Sequence, residues 1–457
     1  MAISHLFSLR RTVLSAALLL SLSGAVHADS RSEAALENRI AQLEQQLAEL
    51  KAAVDAQKKA TAAAPAAAPA AAGPAAAGVK LPIQVTTLTP GANPGTTVKI
   101  GGFIKTDFML TRTDSGQLAD SASGRDLYVP GQTPVGGAGS GTDYDAGAKF
   151  SRLGIGIDTV TDNNDKLGAF VEWDFFGGAL GNENATNTYG VTLRHAYAYW
   201  NKWLAGQTWS TFMDTAALPE AVDFIGPTDG VVFVRQPQIR YTTGNFQISL
   251  EDPQTTIIPR GGGAAASSDR GALPDLAARY TWKGTWGHFG IAGLLRDLRV
   301  DRPAAGTTPA IEDSQFGGAL SVSGKFNIGE RNDIRYQVSG GAISRYIGLG
   351  VTSDSVLDLN NDLEGIDGFA GYVAWRHVFA NKKLRSNLMY ARSDYDNPVA
   401  FTGTGVTKSS QSFRLNLIYS PLPKLDVGAE YMVGRRELES GAEGEIDRLQ
   451  FMAKYSF

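Results

Sequence analysis

The chain has 457 residues, no cysteine and a formal net charge of −4 at pH 7. The lack of cysteine excludes disulfide bonds and thiol chemistry, and the acidic balance disfavours a nucleic-acid partner. The slightly negative mean hydropathy excludes a bundle of apolar membrane helices. It suits a membrane barrel, in which only every second strand residue faces lipid.

Residues 1–28 have the order of a secretory signal peptide. Arg10 and Arg11 precede an apolar run from Val13 to Leu22, and Val26-His27-Ala28 follows it. We expect cleavage after Ala28, which changes the net charge from −4 to −6 because the segment contains two arginines and no acidic residue. A retained anchor is the less favoured alternative, since the run is shorter than the ~20 residues of a membrane-spanning helix.

Residues 29–60 predict a short periplasmic α-helical coiled coil. Its apolar seam follows heptad spacing: Leu36, Ile40, Leu43, Leu47, Leu50 and Val54. The stretch from Arg39 to Glu44 resembles a pattern of three-stranded coils, which favours a trimer. The β-branched residues at one seam position favour two strands instead, so the dimer stays open. A helix this short is marginal alone, so the coil depends on barrels that already hold the chains together.

Residues 61–97 form an Ala/Pro-rich linker. Pro65, Pro69, Gly73 and Pro74 interrupt any helix that the alanines would form. We interpret the segment as a semi-rigid periplasmic spacer, and a tether that spans the cell wall is the alternative.

From Val98 onward the chain changes to short runs with period-two alternation, which predict about sixteen antiparallel β-strands. The predicted strands lie at 98–110, 148–159, 166–175, 190–200, 202–209, 237–243, 245–251, 275–283, 286–297, 315–327, 333–343, 368–379, 383–394, 411–419, 424–435 and 446–457. The connections alternate between short and long, which indicates periplasmic turns at one end and eight outward-facing loops at the other.

The last predicted strand ends in the aromatic Phe457, with Leu449, Phe451, Ala453 and Tyr455 on the same face. A terminal aromatic of this kind resembles the signal that the barrel-assembly machinery recognises. In hydrocarbon each unpaired backbone group costs several kcal/mol, so this strand should pair with the one that begins near Val98 and close the sheet. The fold class predicted for residues 98–457 is therefore an all-β transmembrane barrel in the outer membrane of a Gram-negative bacterium.

The two faces of the predicted strands differ in chemistry. One face is apolar, for example Leu153, Ile155 and Ile157, and should face lipid. The other carries charges at membrane depth, where exposure to lipid would cost about 2–4 kcal/mol each. The luminal charges are Arg152, Arg194, Arg240, Arg279, Arg296, Arg335, Arg376, Arg385, Arg414 and Arg448, with Glu172, Asp174, Glu251, Asp426 and Glu430. A sixteen-stranded barrel is wide enough for water inside, so a passive pore is expected.

Because luminal arginines outnumber luminal acids, the pore should attract anions. The pore-lining candidates are Arg152, Arg194, Arg235, Arg240, Arg279, Arg335, Arg376 and Arg414. The alternative is that these arginines pair with the luminal carboxylates and only stiffen the wall.

The connection from Ser210 to Gln236 mixes apolar and charged residues after an odd-numbered strand. We predict that it folds inward and narrows the pore, with a surface lid as the alternative. The constriction candidates are Phe212, Asp214, Glu220 and Asp223.

Three runs carry a resemblance to a known family. They are Gly101-Gly102-Phe103-Ile104-Lys105-Thr106-Asp107, Leu193-Arg194-His195-Ala196-Tyr197, and the stretch Gly206–Tyr241 with Gly-Gln-Thr-Trp-Ser-Thr-Phe-Met-Asp and Val-Arg-Gln-Pro-Gln-Ile-Arg-Tyr. With the N-terminal coil and spacer, nearly the whole mature chain resembles the DcaP-like outer-membrane porins. The resemblance implies a homotrimer of sixteen-stranded pores that take up small anions, dicarboxylates and aromatic carboxylates among them. Expected partners are the bilayer, lipopolysaccharide and these solutes.

A barrel enzyme and a structural protein are the two other classes of function to compare with a pore. A barrel enzyme is disfavoured because no Gly-x-Ser-x-Gly motif occurs and His195, His288 and His377 lie in separate predicted strands. No catalytic residue, metal site or cofactor is predicted. The alternative to a porin is a structural or adhesive outer-membrane protein that uses the coil as a periplasmic tether.

Overall fold

The computed structural model describes residues 96–139, 141–177, 189–304 and 310–457, and two helical positions, Gln45 and Ala48. The chain divides into two compact units, and the fold below concerns the second, Leu81–Phe457. The predicted signal peptide, residues 61–95 of the predicted linker and all but two residues of the predicted coil lie outside the described residues. Thr96 and Thr97, which the prediction assigned to the linker, belong to the first barrel strand, where they pair with Thr159 and Asp158. No helix in the described part of the chain is long and apolar enough to cross a membrane.

Seventeen of the described strands form one sheet. They are β1 (Thr96–Thr113), β2 (Thr142–Gly147), β3 (Arg152–Val160), β4 (Lys166–Gly177), β5 (Gly190–Trp200), β6 (Trp203–Trp209), β7 (Arg235–Thr243), β8 (Phe246–Glu251), β11 (Asp275–Gly284), β12 (Gly287–Arg302), β13 (Ile311–Ile328), β14 (Asn332–Gly341), β17 (Asp367–Val378), β18 (Leu384–Asp396), β19 (Thr407–Leu422), β20 (Leu425–Leu438) and β21 (Glu443–Ser456).

The sheet closes into a sixteen-stranded antiparallel barrel. Each strand pairs with its neighbours along the chain, and β21 pairs with β1 from Phe103–Ser456 to Thr113–Ile446. The strands β2 and β3 share one place, because β3 pairs with the first half of β1 and β2 with the second half. The closure leaves no edge strand, which a sheet surrounded by lipid requires. The predicted strand number and the predicted pairing of the two ends are confirmed.

The break between β2 and β3 was not predicted, because the sequence indicated one strand at 148–159. Ser151 lies at the break, opposite Lys105 of β1. Its hydroxyl accepts a hydrogen bond from the Lys105 backbone N–H (3.0 Å) and donates one to the Lys105 carbonyl (3.2 Å). A side chain thus replaces one step of the backbone ladder, which hydrophobic alternation does not reveal.

Alternation along each strand separates an apolar outer face from a polar inner face. On β19, Phe413, Leu415 and Leu417 are about half exposed (47, 50 and 48 %). The residues between them, Arg414 and Asn416, are buried. Lipid and water select opposite faces of a strand whose side chains alternate with period two, so the predicted outer face is confirmed.

Short turns gather at one end of the barrel, here called the turn end, and longer connections at the other, the loop end. Exposed tryptophans lie beside the short turns, as in interfacial girdles: Trp200, Trp203, Trp282 and Trp286. The predicted strict alternation of short and long connections is wrong between β20 and β21. Only residues 439–442 join them, because the backbone pairing of the two strands continues to Glu437 and Glu443. An ion pair between Arg435 and Glu443 links the strands near this turn.

The long connections contain the remaining described elements. The strands β9 (Thr255–Ile258), β10 (Ala266–Ser268), β15 (Ser355–Leu357) and β16 (Leu363–Gly365) form a separate four-stranded sheet, in which β9 and β15 run parallel. Two single-turn helices are α1 (Ser123–Asp126) and α2 (Val399–Thr402), and 3-10 turns occupy Pro130–Gln132 and Ser344–Tyr346. Arg296 of β12 ties this sheet to the barrel wall through Asp354 (2.7 Å) and the Gln254 carbonyl (2.7 Å).

Candidate functional site

Residues 210–234, here called the inner loop, run along the inner face of the barrel. Inward-facing side chains on widely separated strands hold its backbone. Arg279 of β11 donates to the Thr211 carbonyl (2.9 Å), Tyr372 of β17 donates to the Ala217 carbonyl (3.0 Å), and the Val222 N–H donates to Glu430 of β20 (2.9 Å). The connection thus lies inside the barrel rather than over it as a surface lid.

Asp214 anchors the first part of the inner loop. Its carboxylate accepts hydrogen bonds from His288 (3.0 Å) and Ser323 (2.8 Å) and lies 3.4 Å from the Arg279 guanidinium. Burial raises the pKa of Asp214, but the His288 hydrogen bond, the Arg279 charge and the Ser323 hydrogen bond outweigh it and lower the pKa to about 2. The carboxylate therefore stays ionised and attached at neutral pH.

Two further carboxylates anchor the second part. Glu220 binds Arg385 of β18 (2.6 Å), and Asp223 binds Arg414 of β19 (3.1 Å). Phe212 is fully buried and packs edge-on against Tyr346 with ring centroids 5.9 Å apart. Of the four constriction candidates, three are anchors of the loop, and Phe212 belongs to the apolar core rather than to the open lumen.

Most of the predicted pore-lining arginines have carboxylate partners. Arg335 and Arg376 share Asp333 at 2.8 and 2.6 Å. Arg279 and Arg414 bind the inner-loop carboxylates described above. The alternative interpretation, in which luminal arginines pair with luminal acids, fits Arg279 and Arg414, because a paired charge in the wall adds little to the field in the lumen. Arg335 and Arg376 have one carboxylate between them and are half compensated.

Three arginines instead share aromatic neighbours, and we call Arg152, Arg194, Arg235, Phe224 and Trp209 the arginine–aromatic cluster. The guanidinium carbons of Arg152 and Arg194 lie 5.4 and 5.3 Å from the Phe224 ring centroid. Those of Arg194 and Arg235 lie 6.0 and 4.5 Å from the Trp209 ring centroid. These shared rings bring together side chains from β3, β5 and β7, which are distant in sequence.

A β-bulge positions the central arginine. His195 pairs with Glu172 and Leu193 pairs with Trp173, so Arg194 is an extra residue in β5. As a result both Arg194 and His195 are buried against the lumen wall, although they are adjacent in sequence. Gln207 of β6 donates to the Leu193 carbonyl (3.1 Å) at the bulge. Bulges commonly re-aim side chains at functional sites, and hydrophobic periodicity gave no signal for this one.

The cluster is only partly neutralised. Arg194 binds both Glu172 (2.8 Å) and Asp174 (2.7 Å), and Arg152 lies 4.0 Å from Glu172. Among the described residues no carboxylate lies within ion-pair distance of Arg235. One buried donor on each arginine, Arg152 Nε, Arg194 Nη2 and Arg235 Nη1, has no hydrogen-bond partner in the described structure. Unpaired guanidinium donors beside flat rings can bind a carboxylate or another oxyanion.

The last predicted pore-lining residue, Arg240, is not a member of this cluster but contacts its edge. It donates to the Gln238 side chain (2.9 Å) and to the Trp209 carbonyl. Sequence reasoning missed the rings that organise the cluster. The apolar run Val231-Val232-Phe233-Val234, directly before Arg235, could have indicated that an aromatic ring lies beside this arginine. Among the described residues no group of three or more His, Asp or Glu side chains could hold a metal ion.

The chain is similar to known outer-membrane proteins. Residues 88–457 match the family model described as DcaP outer membrane protein. The crystal structure of the outer membrane channel DcaP of Acinetobacter baumannii matches with 24 % identity and a TM-score of 0.64, and the match covers 80 % of this chain and 99 % of that one.

Two more distant structures are OmpT of Vibrio cholerae (14 % identity, TM-score 0.48, 80 % and 99 % covered) and an anion-selective porin from Comamonas acidovorans (11 %, 0.49, 79 % and 100 %). A comparison with curated proteins gave no significant match. Because the family match spans most of the chain, the protein belongs to the DcaP outer membrane protein family, and its barrel has the fold of that family's channel.

Proposed function

We propose that this outer-membrane barrel is a porin for passive uptake of small, preferentially anionic solutes, including dicarboxylates and aromatic carboxylates. The observation that carries the proposal is the arginine–aromatic cluster, where three guanidinium groups meet two carboxylates and keep one unpaired donor each. A cationic site in a water-filled lumen concentrates anions and lowers the barrier to their entry.

The ring geometry suits flat carboxylates. Arg235 lies over Trp209 (4.5 Å) and near Phe233 (5.7 Å), so two aromatic rings flank its charge. A carboxylate would accept from the guanidinium while a ring attached to it packs against the edges of these aromatic side chains. Glu172 and Asp174 hold Arg194 in place and leave Arg152 and Arg235 for the solute.

We further propose that the inner loop forms the constriction of the pore. Three of its four carboxylates, Asp214, Glu220 and Asp223, are bound to wall cations. The fourth, Asp229, is fully buried and accepts hydrogen bonds from Tyr128 and Ser412, so the carboxylates fix the loop without facing the passage as free charges. The net charge that a solute meets beside the loop is then that of the arginine–aromatic cluster.

The proposed assembly is a homotrimer exported with the signal peptide 1–28, and both the turn end and the coil at 29–60 are in the periplasm. Deletion of residues 29–78 tests this arrangement. A porin should keep its conductance and lose only stability or anchoring. Loss of trimers with unchanged solute uptake would favour a structural role for the N-terminal region.

Purified protein in planar bilayers tests the function. Under a KCl gradient the reversal potential should indicate anion preference, and mono- and dicarboxylates should compete with the chloride current. The double variant Arg152→Gln/Arg235→Gln should lose most of this preference. The control is Arg392→Gln/Arg435→Gln, which removes two exposed arginines paired with exposed acids near the loop end. Cation preference in the unmodified protein would contradict the proposal.

A further inference from the structure

A cavity of about 570 Å³ lies between the inner loop and the turn end of the barrel. The inner loop contributes its roof, with Met213, Asp214, Thr215 and Ala216. Gly284 and Gly287, which flank the turn between β11 and β12, line its other side. The cavity thus occupies the part of the lumen that a solute reaches after passing the inner loop.

The lining of this cavity is strongly cationic. Arg240, Arg279, Lys283 and Lys325 line it, and Asp214 is the one carboxylate among its lining residues. Asp214 already binds His288, Ser323 and Arg279, so it compensates Arg279 and none of the other three cations. Within the described structure, the ammonium groups of Lys283 and Lys325 have no ion-pair or hydrogen-bond partner, and the Arg240 side chain donates only to neutral groups.

The two lysines lie in one row across neighbouring strands. Lys283 of β11 pairs with His288 of β12, and His288 pairs with Lys325 of β13. Neighbouring strands are about 4.8 Å apart, so the two ammonium groups flank His288 at the same height and can reach one small anion. Basic side chains placed side by side repel each other, which makes the row unfavourable until an anion occupies it.

We propose that this cavity is a second anion-binding site, which takes compact doubly charged oxyanions, either phosphate or a short dicarboxylate. The proposal rests on the proposed function and adds a site in series with the arginine–aromatic cluster. Trp209 connects the two sites, because its ring lies against Arg235, its carbonyl accepts from Arg240, and it lines the cavity. Two moderate sites in series let a solute enter readily and still leave, which one tight site would prevent.

One-sided block of the chloride current tests the site. Inorganic phosphate at pH 8 or malonate is added to one chamber at a time, with the full-length protein in planar bilayers. We expect block from one side only, and about tenfold weaker block in Lys283→Gln/Lys325→Gln, because each lost lysine removes a charge-assisted hydrogen bond. The two anions distinguish the two possible ligands. Block by phosphate alone indicates that the cavity binds phosphate, and block by malonate alone indicates that it binds a dicarboxylate.

The matched control is Lys382→Gln/Lys424→Gln, which removes the same charge from exposed turns at the same end of the barrel. It should change the block less than about twofold, because neither Lys382 nor Lys424 lines the cavity and salt screens charges at a distance. The variant Lys283→Arg/Lys325→Arg keeps the charge and should keep the block, which covers the case in which the Gln variant fails to fold.

Equal weakening in both Gln variants, equal block from both sides, or absence of block by both anions would overturn the second site. Its failure is distinguishable from failure of the proposed function. The reversal potential of the unmodified protein reports anion preference, whereas the one-sided block reports only the cavity.

Discussion

Two sectors of the same inner wall use arginine in different ways. From β11 to β20, wall arginines bind carboxylates that the inner loop brings to them, such as Asp214, Glu220 and Asp223. From β3 to β7, Arg152, Arg194 and Arg235 lie against aromatic rings and have only two carboxylates among the three of them. The arginines of the first sector hold a loop in place, whereas those of the second keep positive charge for a solute.

The difference shows that residue type and strand face do not determine the role of a luminal arginine. What decides is whether a carboxylate from elsewhere in the chain reaches it. Breaking a paired charge leaves its partner buried and uncompensated, whereas removing an unpaired one relieves repulsion. Substitutions in the first sector should therefore lower the free energy of unfolding, whereas substitutions in the second should change ion selectivity.

The largest effect on stability is expected for Asp223→Ala. Arg414 is almost fully buried, and the substitution removes one of its two carboxylate partners together with an acceptor for the Tyr128 N–H. We expect the free energy of unfolding to fall by about 3 kcal/mol, as for other buried ion pairs that lose one partner. Urea unfolding in detergent measures it. The control Asp162→Ala, at an exposed turn, should change little, and an equal loss in both would contradict the assignment.

A comparable but smaller effect is expected for Gly230→Ala. A Cβ at residue 230 would lie 2.0 Å from the Gly371 carbonyl oxygen of β17, so the inner loop must lift from the wall. We expect about 2 kcal/mol of destabilisation, typical of overpacking, and an altered single-channel conductance. Gly147→Ala has open space around the new Cβ and serves as the control. Unchanged conductance with Gly230→Ala would argue against the loop as the constriction.

The Asp214 anchor predicts a defined acid response. Its folded pKa of about 2 is lower than that of a free aspartate, so its contribution is complete above about pH 4 and is lost as the pH falls through 2. The contribution is about 2 kcal/mol. The difference in the free energy of unfolding between the unmodified protein and Asp214→Asn should therefore stay constant between pH 7 and pH 5 and shrink below about pH 3. A difference that does not shrink at low pH would contradict the anchor.

The smallest effect on stability is expected in the other sector. Arg235 has no carboxylate partner among the described residues, and its charge is repelled by the neighbouring arginines. Arg235→Gln should therefore change the free energy of unfolding by less than about 1 kcal/mol, or raise it. A loss as large as that of Asp223→Ala would show that Arg235 holds the fold.

The sequence was sufficient for the barrel and insufficient for its interior. Lipid imposes period two on every strand, so the sixteen strands and the β1–β21 closure follow from local pattern. The contact between Asp223 and Arg414 joins residues 191 positions apart through a loop, and no local pattern encodes it. The bulge at Arg194 and the short β20–β21 turn depend on register and cross-strand pairing, which alternation cannot specify.

The central claim is that the uncompensated charge of the arginine–aromatic cluster produces the anion preference, whereas an arginine bound to its own carboxylate adds little to it. The most direct test compares the reversal potentials of Arg235→Gln and of the double variant Asp333→Asn/Arg376→Gln in the same KCl gradient. The first removes a positive charge without a carboxylate partner, and the second removes an arginine together with the carboxylate that binds it. We predict a clear loss of anion preference for Arg235→Gln and little change for Asp333→Asn/Arg376→Gln. Equal losses, or a larger loss for the double variant, would contradict the account.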